Sequence, residues 1–204
     1  MSRPLLISDC DEVLLHMVAH FDDWLGEEHG IDFAFESGQF ADALTYRKTG
    51  DVVPEERVWP LLEAFFQDGM DRQTLVPGAI EALGAIGEVA DIVILTNIGD
   101  EAHHHRVAQL DRLGIRHDVV TNRGGKGRPA KSLIEQYGAP RAAFVDDLAF
   151  QHKSVAKYNQ DVWRLHMVAE PRLAPNIDDA EHAHARIDLW SDATPWLIDR
   201  LEEK

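Results

Sequence analysis

The sequence is poor in cysteine, in long apolar runs and in positive charge. Cys10 is the only cysteine, so no internal disulfide can form, as is usual in a reducing compartment. Cys10 also makes a poor nucleophile, because Asp9 and Asp11 flank it and nearby negative charge disfavours a thiolate. No apolar run approaches the ~20 residues of a membrane span. The start, MSRPLLISDCDEV, has too short an apolar run for a signal peptide, with charge following at once. A soluble, cytoplasmic protein is the expectation. The formal net charge is −16, from 36 acidic and 20 basic residues, which argues against nucleic acid and anionic membranes as partners.

Against that acidic background, residues 119–134 hold no acidic residue but include Arg123, Lys126, Arg128 and Lys131. Such an island is either a solvated basic loop or a surface that faces an anion. Hydrophobic residues make up 45% of the chain, enough for a packed core rather than disorder. A chain of 204 residues suits one domain, or one domain with a small insert.

Five short apolar runs read as strands: 5–8, 92–95, 119–120, 142–145 and 162–168. Most are continuously apolar, as expected of strands covered on both faces. Helical patterns lie between them. Residues 78–87 carry Ile80, Leu83 and Ile86; residues 102–113 carry Val107, Leu110 and Leu113. Residues 129–137 start on a proline and stop before Gly138, and a last helix starts at Thr194-Pro195 and buries Leu197 and Leu201. The alternation predicts an α/β fold with a Rossmann-like parallel sheet. Between Leu14 and Leu75 no buried strand is evident. Leu14, Val18, Phe21 and Leu25 share one helical face, and Val58, Leu61, Leu62, Phe65 and Phe66 another. The expected organisation is a core of residues 1–14 and 75–204 with a helical cap, 15–74, inserted after the first strand. Residues 171–185 read as a loop.

In an open parallel sheet, ligands bind beyond the carboxyl ends of the strands. Asp9 and Asp11 follow the first strand in LLISDCDEVLLH. Thr96 and Asn97 follow the second, Lys126 lies in the basic segment after the third, and Asp146 and Asp147 follow the fourth. The fold would gather four carboxylates, a hydroxyl and a lysine at one edge. Clustered carboxylates suit a hard cation such as Mg²⁺, which leaves coordination sites for water and phosphate oxygens. A lysine and a hydroxyl beside it suit a phosphoryl group, and a carboxylate can serve as the nucleophile. Of the histidines, His103, His104 and His105 read as partly exposed residues at the start of a helix.

Four segments resemble motifs of the haloacid dehalogenase superfamily, in its phosphatase branch with a small helical cap. ISDCDEV looks like the first motif, VILTN (93–97) the second, KGRP (126–129) the third and AFVDD (143–147) the fourth; LVPGAIEALGAIG (75–87) is similar to the helix before the second. The resemblance implies Asp9 as nucleophile and Asp11 as general acid/base. It implies Thr96 as a phosphoryl ligand and Lys126, or Lys131, as the charge-neutralising lysine. Asp9, the Asp11 carbonyl and Asp146, Asp147 or both would hold Mg²⁺, and Asn97 would border the substrate. The resemblance has three departures from the pattern. Glu12 stands where glycine is usual, implying an altered turn or a side chain in solvent. Phe150 and Gln151 stand where a further aspartate is usual, and two lysines compete for one role. The implied activity is Mg²⁺-dependent hydrolysis of a small-molecule phosphate ester through an aspartyl-phosphate. A nucleotidase, a phosphotransferase and a non-catalytic binding protein of the same fold are the alternatives. Asp11 argues against dehalogenation, which needs no acid there.

Overall fold

The computed structural model describes residues 2–37 and 40–202. The chain begins with β1 (Leu5–Ser8), β2 (Leu15–His16) and α1 (Val18–Trp24). Next come β3 (Ile31–Phe33), β4 (Leu44–Tyr46), α2 (Glu55–Ala64) and β5 (Thr74–Leu75). Helices and strands then alternate: α3 (Ala79–Val89), β6 (Asp91–Thr96), α4 (His103–Arg112), β7 (Asp118–Thr121), α5 (Gly127–Tyr137), β8 (Ala142–Asp146), α6 (Ala149–Tyr158) and β9 (Trp163–His166). β10 (Ala185–Arg186) and α7 (Trp190–Glu202) complete it.

Six strands form one sheet in the order β10-β9-β8-β1-β6-β7, every pair parallel. β1 lies between β8 and β6, and its four residues are wholly buried. Leu6, Ile94 and Val145 pack on one face with Leu83 and Ile86 of α3 and Leu197 of α7. Leu5, Ile7, Val93 and Phe144 pack on the other with Leu133 of α5 and Val155 of α6. Burial on both faces explains the unbroken apolar strands. The architecture is the expected α/β parallel sheet.

Residues 17–70 supply nearly all of a separate apolar cluster, which includes Phe21, Trp24, Phe33, Val58 and Phe65; Ile98 and Ala102, just after β6, join it. The insert is not purely helical. β3 and β4 pair as an antiparallel ribbon, and β2 pairs with β5 where the chain leaves and re-enters the core. Strands of two or three residues carry too few alternations to register as a period. Leu14 precedes β2 rather than joining α1, although Val18, Phe21 and Leu25 are buried as expected. β10 starts at Ala185, the last residue of the expected loop 171–185, and α7 starts four residues before Thr194.

In two helices one expected core residue faces outward, while Leu83, Ile86 and Leu110 are buried as expected. Ile80 is 36% exposed and Val107 40% exposed. The buried side of α4 instead presents Arg106, Gln109 and Leu110.

Candidate active site

β1, β6 and β8 end side by side, because Ser8 is level with both Ile94 and Val145. The Asp9 amide continues that register by donating to the Val145 carbonyl at 2.8 Å. Asp9 Oδ1 accepts the Cys10 amide at 2.7 Å, which fixes the carboxylate against its own turn. Lys126 precedes α5 directly, and its Nζ lies 2.8 Å from Asp9 Oδ2 and 2.7 Å from Asp146 Oδ2. Asp146 Oδ1 accepts the Leu148 amide at 2.9 Å. One carboxylate oxygen each from Asp9, Asp146 and Asp147 lie within 4.8 Å of one another.

Three carboxylates against one ammonium leave a formal −2 in a nearly closed site, where Asp9 is only 6% exposed. Burial pushes the Asp9 carboxyl up to about 7, the Lys126 ammonium pulls it down, and Asp146 pushes it up again. Burial, then Asp146 and Asp9, hold the Asp147 carboxyl well above the usual carboxylate range. The Lys126 ammonium is held above its ordinary value despite burial, because Asp146 and Asp9 flank it. An all-oxygen donor set with two surplus negative charges fits a hard divalent cation.

The basic island does not act as one. Lys126 is fully buried in the site, whereas Lys131 is exposed on α5. Arg123 pairs with Glu101 at 3.0 Å and Glu63 at 3.5 Å, and Arg128 sits over the Tyr158 ring. Gln151, at the position where an aspartate is usual, accepts the Lys126 amide at 2.8 Å and donates to the Gly124 carbonyl at 3.1 Å. It shapes the lysine loop rather than adding a carboxylate.

Thr96 is fully buried at the end of β6, its Oγ1 3.5 Å from Asp11 Oδ2. Asn97 is exposed and turned to the neighbouring loop, donating to the Gly124 carbonyl and accepting from Asn122. The Asp11 carboxylate is not part of the three-carboxylate group. It meets Arg106, whose Nη2 donates to Oδ1 at 2.9 Å and Oδ2 at 3.0 Å, and Gln73, whose Nε2 donates to Oδ1 at 2.7 Å. Neither partner was anticipated from sequence.

Cys10 is buried, and burial above all pushes its thiol up to about 12; Arg106 opposes this and Asp11 adds to it. Glu12 does not point into solvent. It takes a left-handed φ of 57°, which explains why glycine is favoured there, and its Oε1 accepts the Met17 and Val18 amides at 2.7 and 2.6 Å at the start of α1. His103 bonds the Val119 carbonyl at 3.0 Å; His104 and His105 are exposed on α4.

No protein-family model and no curated protein sequence matches the chain. Solved structures do match it. A haloacid dehalogenase-like family hydrolase from Streptococcus pneumoniae shares 10% identity over 96% of this chain and 98% of that one, with a TM-score of 0.65. A predicted phosphoglycolate phosphatase from Haemophilus somnus shares 13% over 96% and 98%, with a TM-score of 0.66. A structure described as the HAD-hydrolase YfnB from Bacillus subtilis bound to magnesium shares 13% over 97% and 99%, with a TM-score of 0.63. The chain has the fold of the haloacid dehalogenase-like hydrolases, across nearly its whole length.

Proposed function

We propose that the protein is a phosphatase that hydrolyses a small phosphate ester, with Asp9 as the nucleophile. The observation that carries this reading is Lys126 Nζ, bonded to both Asp9 and Asp146 where β1 and β8 end. A buried ammonium held against the attacking carboxylate is placed to meet the charge of a phosphoryl group. The fold shared with a predicted phosphoglycolate phosphatase supports a phosphoester substrate.

An Asp9 oxygen attacks phosphorus. The bond from phosphorus to the ester oxygen breaks, and its electron pair stays on that oxygen, which takes a proton from Asp11. Water then attacks phosphorus while giving a proton back to Asp11. The bond from phosphorus to Asp9 breaks, its pair returns to the carboxylate, and inorganic phosphate leaves. Lys126 and Thr96 bind the phosphoryl oxygens throughout. Asp9, Asp146 and Asp147, with the Asp11 carbonyl, would hold Mg²⁺, which when bound supplies positive charge against the phosphoryl oxygens.

The test is release of nitrophenol from p-nitrophenyl phosphate. Release is expected with Mg²⁺, and is expected to be lost in EDTA and in Asp9→Asn. Turnover that survives Asp9→Asn removes the covalent route. Failure across a panel of phosphate esters favours a non-catalytic protein of this fold.

A further inference from the structure

Asp11 is held by groups for which the proposed reaction has no direct use. Arg106 is wholly buried on α4. Besides its two contacts to Asp11, it donates from Nη1 to Cys10 Sγ at 2.9 Å, and its guanidinium carbon lies 5.6 Å from the Phe66 ring of the inserted segment. Gln73, which also bonds Asp11, sits one residue before β5, where the chain re-enters the core. Gln109 shares the buried side of α4. It donates to the Met70 carbonyl at 2.5 Å and faces Gln73 Oε1 at 3.4 Å. The network thus joins α4, the turn after β1 and the returning chain crossing.

Stability alone does not require a buried Arg106. Desolvating a guanidinium and a carboxylate costs several kcal/mol, and apolar residues of similar volume usually serve packing as well or better. Among the described residues, Arg106 Nε is also buried without a partner. What the arrangement does provide is orientation. A carboxylate oxygen has two lone pairs to offer. Those of Asp11 Oδ1 are taken by Arg106 and Gln73. Among the described residues, Oδ2 accepts from Arg106 and has only the long 3.5 Å contact to Thr96 besides. One acceptor position therefore remains for chemistry, and it is on Oδ2. The Asp11 side chain keeps 15% exposure, while Arg106 has none.

We infer that Arg106 is a positioning residue, which with Gln73 locks Asp11 Oδ1 and presents Oδ2 to the leaving oxygen. Arg106 acts only through Asp11 and touches no substrate. The inference rests on the proposed phosphatase reading.

The test compares two esters in a double-mutant cycle. An alkyl ester such as glycerol 2-phosphate needs a proton on its leaving oxygen; dinitrophenyl phosphate does not. The ratio kcat/KM reports steps only up to departure of the leaving group, so it isolates the acid role. Arg106→Met is expected to lower kcat/KM on the alkyl ester by about 100-fold and on dinitrophenyl phosphate by roughly threefold or less. Arg106→Lys, which keeps the charge and one donor, should recover part of the loss. In an Asp11→Asn background, Arg106→Met should add nothing on the alkyl ester. Equal losses on both esters, or losses that add in the cycle, overturn the inference. Should Arg106→Met not fold, Arg106→Lys and Gln73→Leu carry the same comparison. Wild-type protein inactive on both esters overturns the phosphatase reading itself, and is distinct from an active protein that fails the cycle.

Discussion

Asp146 and Asp147 are adjacent, yet a different imidazole holds each of their carbonyls. His166 Nδ1 accepts the Ala180 amide, so its Nε2–H donates to the Asp147 carbonyl at 2.8 Å. His152 Nε2 donates to the Asp146 carbonyl at 2.9 Å, while its Nδ1 is buried without a partner among the described residues. A second proton there would place an unpaired charge in the interior. Burial accordingly pushes the His152 imidazole down to about 4 from its ordinary 6.5, against the opposing pull of Asp146. The folded state thus refuses a proton that the unfolded chain accepts, so the contribution of His152 to stability is full above about pH 6.5 and falls as pH drops toward 4. Chemical denaturation across that range should show a loss of up to about 3 kcal/mol from this one group. His152→Asn, which keeps a donor and cannot titrate, should remove that part of the acid sensitivity. An unchanged pH dependence in the variant would place the titration elsewhere.

The helices differ in how closely they pack at their glycines, so two like substitutions should act in opposite directions. A Cβ on Gly127, at the start of α5, would overlap the carbonyl oxygen of Ser154 on α6, which is backbone and cannot swing aside. Gly127→Ala should therefore cost about 2 kcal/mol and lower Tm by about 4–8 °C, and it should displace Lys126 next to it. Gly84, inside α3, meets nothing within 4 Å. Gly84→Ala should raise stability by about 0.5–1 kcal/mol, because alanine loses less backbone freedom in a helix. Calorimetry on the two variants checks the pair; a stable Gly127→Ala would contradict the packing of α5 on α6. Legibility from sequence varied among these elements for physical reasons. β1, β6 and β8 are buried on both faces and read as unbroken apolar runs. α4 misled because its apolar Val107 is exposed while its buried side carries Arg106 and Gln109, whose bonded polar atoms find partners distant in sequence. β3, β4 and β10 were too short to show a period.

Across the whole molecule, the candidate site exists only because separate chain segments converge. Asp9, Thr96, Lys126 and Asp146 were legible because strand ends in a parallel sheet share one edge. Arg106, Gln73, Gln151 and the two histidines were not, since their places depend on how helices and loops pack above that edge. The inserted segment rests on the core through Ile98 and Ala102, the Arg123–Glu63 pair and the Arg172 guanidinium, 3.8 Å from the Phe35 ring. All of this arrangement serves one claim, that an Asp9 oxygen attacks phosphorus. The direct measurement uses Asp11→Asn with Mg²⁺ and dinitrophenyl phosphate, so that the first step needs no acid and the second lacks its base. After an acid quench, the mass of the peptide containing Asp9 is read. The account predicts one phosphoryl group on Asp9, absent when Asp9→Asn is added. An unmodified peptide, recovered while dinitrophenol is being released from the same sample, would contradict it.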